Sequence, residues 1–456
     1  TAKQEADMEK LNTIAAISRA REAEERASAA HNRLKNAEAG KTAAVVMATG
    51  ENRSKMLTVA RSLALRSINF SGEQDLQILL AWQAYLFNER HAGIEDDADI
   101  FSALYEVSKR YGNKYYCRFR PDGASLTSMA QGPDEYFFYT ADSEGRVLRW
   151  QNDQPGKGYN LIWSGDKVIK AMSVSPDASW LACGTSTSEV IMIPLAGDSV
   201  GYRLQDAGGS ITALIFNTTG NLLYTSTIEG SVTAWNLKSR KGNSIAGDTA
   251  GITALELSDD NNLLAALTKD GSVMLWNPEV PGRQYTLDAG NRVITSLKFI
   301  AGREKLATGD ETGLIDIWNT ETKTIETFLE DHTSAIEAIA FNETDNQMIT
   351  ADRTGGIRIW ALSDLARPPV VISDNNENII RLACNKDGNS FLAETRTEVI
   401  QRPAHVRCMI GGLCTRVTRN LSPAEWAAYV GRDIEYEPTC PDKTYKVRVR
   451  EITGAR

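Results

Sequence analysis

The sequence predicts a mainly β fold made of seven similar units and preceded by α-helices. The first observation is a repeated phrase, a polar turn followed by a strand that ends on tryptophan, as in TKDGSVMLW (Thr268–Trp276). The second is its spacing of about 42 residues, because a fixed period of this kind sets the whole fold. The third is the hydrophobic pattern, which changes from helical to strand-like at about residue 114.

Seven copies of the phrase define the repeat region, residues 114–403. Five end on tryptophan and two are degenerate, and the terminal positions are Trp150, Ile193, Trp235, Trp276, Trp318, Trp360 and Arg402. Twenty-four residues before the first six of these lies an apolar column: Leu126, Ile169, Ile211, Ile252, Ile294 and Ile336. We expect this column to begin the innermost strand of each unit. Five residues before the terminal positions, glycine recurs in five copies, as Gly271 does in the fourth, and allows a tight turn.

The repeats resemble the WD-repeat β-propeller family, in which four-stranded blades surround a channel. The resemblance covers residues 114–403 and implies a seven-bladed ring. The family's histidine before the inner strand is present only as His332, and its turn aspartate only as Asp270. This weakens the prediction of the family's hydrogen-bonded set of His, Ser or Thr, Asp and Trp. The strand-like segment KYYCRF (Lys114–Phe119) is expected to close the ring as the outer strand of the last blade.

Three further segments flank the propeller. Residues 1–53 predict a long charged helix, which is either a solvated spacer or a coiled-coil stalk that binds a partner. The spacer is favoured because apolar positions do not persist over several heptads. Residues 54–113 predict a small platform of three amphipathic helices. Residues 404–456 predict an extension with one short helix, in which Ser422 and Glu425 form a capping box, Pro423 begins the helix and Trp426 docks it.

Charge argues against a nucleic-acid partner. The formal net charge is −9, with 50 Lys and Arg against 59 Asp and Glu, and a nucleic-acid binder needs a basic footprint. The longest strongly apolar run in the N-terminal third, Ala43–Ala48, is far shorter than the roughly 20 residues that cross a bilayer. Any membrane attachment is therefore expected through a segment preceding Thr1. The compartment stays open between an extracytoplasmic tethered region and the cytoplasm, and the oligomeric state is not fixed.

Acidic residues concentrate on one predicted face of the ring. In an antiparallel blade, the loop before the first strand and the turn before the third emerge on the same side. The loops carry eight acids, which we call the acidic rim: Asp166, Asp206, Asp248, Asp288, Glu330, Asp331, Asp374 and Glu377. The turns add further acids, including Asp142, Asp310 and Asp352. These residues either suit tight turns, as acids commonly do, or form a docking face for a basic peptide or protein surface.

No residue pattern indicates catalysis or a cofactor. The four histidines are scattered, and none lies in a nucleophile pattern. The nearest approach to a metal site is His405, Cys408, Cys414 and Cys440, which lack paired C-x-x-C spacing. The alternatives are a zinc site, a Cys414–Cys440 disulfide in an oxidising compartment, or reduced buried thiols. A propeller hydrolase would need convergent side chains in the channel, where the inner strands offer mainly aliphatic residues.

The flanks carry a second resemblance. The segments LLAWQAYLFNERHAG, DADIFSALYEVSK and LCTRVTRNLSPAEWAAYVGRDIEYEPTC resemble the C-terminal region of bacterial STAND-type ATPases with WD repeats, including high-affinity carbon uptake proteins. The chain has no G-x-x-x-x-G-K-[ST] phosphate-binding loop. The sequence therefore predicts a noncatalytic protein interaction scaffold of a bacterial signalling or envelope-associated assembly. The alternative is the sensor region of a STAND-type NTPase whose nucleotide-binding module lies outside this chain.

Overall fold

A computed structural model describes residues 50–443, except 71, 134–135, 153–157, 197–199, 206, 247–249, 281–283, 301–303 and 374–376. The predicted stalk, residues 1–53, lies outside the described residues up to residue 49. Three helices precede the sheets: α1 (residues 50–69), α2 (Gln74–Arg90) and α3 (Ala98–Tyr111). No helix among the described residues is both long and apolar enough to cross a bilayer.

Seven four-stranded antiparallel sheets follow, which confirms the predicted seven-bladed β-propeller. Blades 1 and 2 contain β2–β5 (Leu126–Gln131, Phe137–Asp142, Arg146–Gln151, Tyr159–Ser164) and β6–β9 (Ile169–Val174, Trp180–Thr185, Glu189–Pro194, Tyr202–Gln205). Blades 3 and 4 contain β10–β13 (Ile211–Phe216, Leu222–Thr227, Val232–Asn236, Lys241–Ala246) and β14–β17 (Ile252–Leu257, Leu264–Thr268, Val273–Trp276, Gln284–Thr286). Blades 5 and 6 contain β18–β21 (Ile294–Ile300, Lys305–Asp310, Leu314–Asn319, Thr324–Glu330) and β22–β25 (Ile336–Asn342, Gln347–Asp352, Ile357–Ala361, Val370–Ile372). The six residues of the predicted apolar column are the first residues of the six inner strands.

The ring closes as the sequence predicts. Blade 7 consists of β26 (Arg381–Cys384), β27 (Ser390–Glu394), β28 (Val399–Pro403) and, as its outer strand, β1 (Cys117–Phe119). The register pairs Cys117 with Gln401 and Phe119 with Val399. Strand β1 precedes blade 1 in the chain, so this pairing fastens the two ends of the propeller together.

The turn glycines have the conformation that their position requires. Gly271 has φ +83°, and an added Cβ there would lie 2.6 Å from Val293 Cγ1, so both backbone angle and space favour glycine. In the degenerate second copy Ser188 occupies the same place and has φ +66°, a conformation unfavourable for a residue with a Cβ.

The helical platform and the C-terminal extension share a hydrophobic core with blades 6 and 7. This core combines Phe101 of α3, Ile349 and Phe391 of the blades, and Trp426 of the extension. The extension contains η1 (Val406–Cys408), η2 (Leu413–Arg416) and α4 (Pro423–Tyr429). Helix α4 has the predicted capping box, and Trp426 is 2% exposed with its ring edge-on to Phe87 of α2. The flanks therefore form one clamp on the side of the ring.

Candidate partner-binding face of the propeller

Backbone contacts place the inter-blade loops beside the turns before the third strands. Gly165 N, in the loop before blade 2, donates to Gly145 O in the turn of blade 1 at 3.2 Å. Arg353 N, in the turn of blade 6, donates to Ala335 O in the loop before that blade at 2.8 Å. Both segments therefore lie on one face, which we call the rim face.

Five members of the acidic rim lie among the described residues, and all five are exposed: Asp166, Asp288, Glu330, Asp331 and Glu377. They occupy the junctions of blades 1 and 2, 4 and 5, 5 and 6, and 6 and 7. The other three, Asp206, Asp248 and Asp374, lie outside the described residues.

Asp331 and Glu377 already have partners within the protein. Asp331 forms an ion pair with Arg358, and Glu377 Oε2 accepts a hydrogen bond from Thr397 Oγ1 at 2.8 Å. Within the part of the chain that the structure describes, the Asp288 side chain accepts one bond, a local one from Gly290 N at 3.0 Å. The field on this face therefore comes chiefly from the carboxylates that are less engaged.

Several turn acids do not contribute to that field, because they are buried and hold the turns. Asp142 and Asp310 are both fully buried. Asp310 Oδ1 accepts from Thr312 N and Leu314 N, each at 2.9 Å, and Asp142 Oδ1 accepts from Glu144 N and Arg146 N, each at 3.0 Å. The prediction that these two turn acids add to the exposed acids of the face is therefore wrong.

The same turn position is occupied by Asp or Thr in every blade. Asp142, Asp310 and Asp352 serve blades 1, 5 and 6. A threonine hydroxyl accepts the corresponding backbone bonds in the others: Thr185, Thr227, Thr268 and Thr395. The two residue types do the same work because each places an oxygen acceptor over the turn amides.

Arginine and lysine side chains reduce the negative charge further. Glu189, at the start of β8, forms ion pairs with Lys167 at 3.0 Å and with Arg203 at 3.1 Å. Burial opposes ionisation of Glu189, but the hydrogen bonds from these two cations hold its pKa below the ordinary value. These paired acids stabilise blade contacts rather than attract a partner.

Blade 6 contains the hydrogen-bonded set whose prediction the sequence weakened. Trp360 Nε1 donates to Thr350 Oγ1 at 2.9 Å, and Thr350 Oγ1 lies 2.8 Å from His332 Nε2. His332 Nδ1 lies 2.7 Å from Asp352 Oδ2. This aspartate stands three residues before the turn glycine Gly355, whereas Asp270 stands directly before Gly271. That position, not Asp270, is the signal that could have identified the set.

Burial lowers the pKa of His332 despite the hydrogen bond to Asp352. A neutral ring fits the chain of bonds: Nδ1–H donates to Asp352, and Nε2 accepts from the Thr350 hydroxyl. The set is thus structural, with every polar atom directed into the blade.

The channel of the propeller contains an ion pair between Lys298 and Glu256. A cavity of about 590 Å³ is lined by residues of several blades, among them Glu256, Lys298, Arg381 and Cys384. Lys298 Nζ lies 2.8 Å from Glu256 Oε2. Burial alone would lower the pKa of Lys298, but the adjacent carboxylate holds it above the ordinary value. Burial raises the pKa of the Cys384 thiol to about 12, so it is not a thiolate nucleophile at neutral pH.

The four possible metal ligands do not converge. Cys414 and Cys440 form a disulfide with a Cα–Cα distance of 5.6 Å. His405 Nδ1 lies 2.7 Å from Asp96 Oδ2, and Cys408 Sγ donates to Asn389 Oδ1 at 3.3 Å. No group of three potential metal-binding side chains occurs among the described residues.

Comparison with known proteins agrees with the geometry. Residues 240–277 and 323–361 match the WD domain, G-beta repeat model. Curated protein sequences give no match. Among solved structures, the chain is similar to the WD40 beta propeller domain of Doa1, with 14% identity and a TM-score of 0.56 over 65% of this chain and 98% of that chain. At this identity the likeness shows the fold alone. The chain therefore contains WD repeats and folds as a seven-bladed β-propeller.

Proposed function

We propose that the protein is a noncatalytic interaction scaffold that binds a basic peptide or protein surface through the acidic rim. WD-repeat propellers generally mediate protein–protein interactions, which supports the general class. The observation that carries the proposal is the exposure of rim carboxylates at four blade junctions on one face. Exposed carboxylates grouped on one face attract a partner of the opposite sign and speed its encounter with the protein.

Among the described residues, the contacts of the platform leave the rim face accessible. Asp96, in the loop between α2 and α3, accepts from Val406 N at 2.9 Å and from His405. His405 Nε2 in turn lies 2.9 Å from Asp345, in the turn between the first two strands of blade 6. That turn lies at the opposite end of the strands from the rim. The clamp therefore contacts the propeller at the face opposite the rim face.

The test is binding of a synthetic Lys- and Arg-rich peptide to the full chain, followed by fluorescence anisotropy. The rim variant carries Asp166→Asn, Asp288→Asn and Glu330→Gln. The control removes three exposed acids from the opposite face: Glu279→Gln, Glu321→Gln and Asp364→Asn. We expect the rim variant to weaken binding by about tenfold at low salt, and the control to have little effect. Equal weakening by both variants would show non-specific attraction and refute the rim.

The setting we propose is a bacterial signalling or envelope-associated assembly, and it rests on the resemblance of the flanks. A second candidate is the sensor region of a STAND-type NTPase. This candidate is favoured because the two flanks that resemble the STAND-type proteins share one hydrophobic core, in which Phe87 packs against Trp426. The same core includes residues of blades 6 and 7, so the clamp and the propeller are packed together. The coding sequence upstream of Thr1 distinguishes the two: a phosphate-binding loop supports the sensor, and a membrane helix or signal peptide supports the envelope scaffold.

A further inference from the structure

A groove runs along the outer side of helix α1, on the platform rather than on the propeller. It has a volume of about 640 Å³ and is lined by side chains of α1 at helical spacing, by Asp99 of α3 and by Tyr429 of α4. The lining begins at Thr58 and continues to Asn69, which corresponds to about 16 Å of helix. A second face of α1, including Ala60 and Leu63, is buried in the core, so the helix carries one packed and one open face.

The exposed surface of the groove is mainly apolar, although five of its six α1 residues are polar. Leu65 is 48% exposed at the centre of the groove, and Phe70 and Tyr429 are half-buried beside it. A groove of this length with an exposed leucine fits an amphipathic helix, which inserts apolar side chains at intervals of three and four residues. The size of the opening thus indicates a helix of about 11 residues at 1.5 Å per residue.

The charges beside the groove are mixed, because Asp99 lies near Arg61 on one side and Arg66 lies on the α4 side. Arg61 Nε is paired with Asp97 Oδ2 at 3.0 Å. Arg66 is exposed, donates to the backbone oxygen of Ala428 at 3.0 Å, and lies 5.7 Å from the Tyr429 ring centroid. No carboxylate among the described residues forms an ion pair with Arg66, so a carboxylate of the occupant can take that place.

We propose that this groove binds an amphipathic helix of a partner protein that carries an acidic residue beside its apolar stripe. The site goes beyond the proposed rim function and does not depend on it. The chain's own C-terminal segment, residues 444–456, suits the groove poorly by charge, because it carries Lys446, Arg448, Arg450 and Arg456 against Glu451.

The probe is a helical peptide of about 14 residues with leucines on one stripe and glutamates on the one side that can meet Arg66, which covers the groove with one extra turn. A second peptide has lysine in place of each glutamate. We expect the full chain to bind the glutamate peptide about tenfold more tightly than the lysine peptide. Arg66→Glu should reverse that preference, which mere loss of folding would not do.

Apolar contact is tested by Leu65→Asp, which should abolish binding of the glutamate peptide. The matched control is Leu161→Asp, because Leu161 is 56% exposed on the outer strand of blade 1, away from the groove. Equal affinity for both peptides, or equal loss in both variants, would overturn the proposal.

A photo-crosslinking residue in place of Leu65 in the full chain tests whether the groove is already filled. Crosslinks to the added glutamate peptide support a site for a partner. Crosslinks to residues 1–49 or 444–456, or to a second copy, in the presence of that peptide would overturn it.

Discussion

Replacing Ala266 by threonine should stabilise blade 4, because it supplies an acceptor that this blade lacks. In four blades the tryptophan at the end of the third strand donates to a threonine ten residues earlier: Trp150 to Thr140, Trp235 to Thr225, Trp318 to Thr308 and Trp360 to Thr350, at 2.8–3.0 Å. In blade 4 the donor is Trp276 and the earlier residue is Ala266. Trp276 Nε1 is buried and has no hydrogen-bond partner among the described residues.

The expected gain follows from the balance between the new bond and the added volume. An intramolecular hydrogen bond contributes about 1 kcal/mol net, and a buried unpaired donor costs about 1–3 kcal/mol. Overpacking a core position costs about 1–3 kcal/mol. The other blades show that threonine fits: Thr308 faces Leu297 across the sheet, and Ala266 faces Leu255 in the same register. We therefore expect Ala266→Thr to raise the free energy of unfolding by about 1 kcal/mol.

The matched control is Ala266→Val, because valine has nearly the shape of threonine and no hydroxyl. Urea unfolding followed by tryptophan fluorescence measures both variants, and the difference between them isolates the hydrogen bond from the packing. The complementary change, Thr308→Val in blade 5, should cost about 1–3 kcal/mol by leaving Trp318 Nε1 unpaired. If Ala266→Thr is no more stable than Ala266→Val, the bond does not form and the reasoning fails.

Three further predictions concern stability. Burial lowers the pKa of His332, so below about pH 6.5 the unfolded chain binds more protons than the folded chain. The free energy of unfolding should therefore decrease as the pH falls through that range, and it should decrease less steeply in His332→Gln. Equal slopes of the two proteins in urea titrations would contradict this. Cys414 and Cys440 are 26 residues apart, and replacing both by serine should lower the free energy of unfolding by about 2–4 kcal/mol relative to wild type under oxidising conditions. An unchanged free energy of unfolding would count against the disulfide. Ser188→Gly should have a higher melting temperature than Ser188→Ala, because both variants lose the bond that Gly209 N donates to Ser188 Oγ at 3.1 Å and only glycine relieves the φ of +66°. Equal melting temperatures would refute strain at Ser188.

The propeller was predictable because its signals are repeated and apolar. Six of the seven inner strands begin at the predicted residues, since a column such as Ile252 and Ile294 faces the packed junction of neighbouring blades in those copies. The closing strand was predictable by elimination, because the last blade lacked a fourth strand and KYYCRF had the composition of one. Both inferences use the period, which one substituted residue does not destroy.

The acidic face was less predictable because an aspartate has two uses near a tight turn. Asp310 and Glu311 are adjacent in the sequence, yet Asp310 is fully buried beneath the turn and Glu311 is exposed. Composition counts both as negative charge on the rim. Position within the period separates them, because the residue three before the turn glycine points into the blade in every copy where it is Asp.

This distinction decides how the rim can be tested. Neutralising Asp310 to asparagine would leave Arg292 with Asp316 as its one remaining carboxylate partner, and would give the two turn amides a neutral, weaker acceptor. Such a variant would bind a partner protein less well because blade 5 is distorted, whether or not the acidic rim takes part in binding. Asp166 and Glu330 are exposed, so their neutralisation changes the field of the rim face while the turns stay intact. Loss of binding in that variant, with an unchanged urea midpoint, would therefore report on recognition rather than on folding.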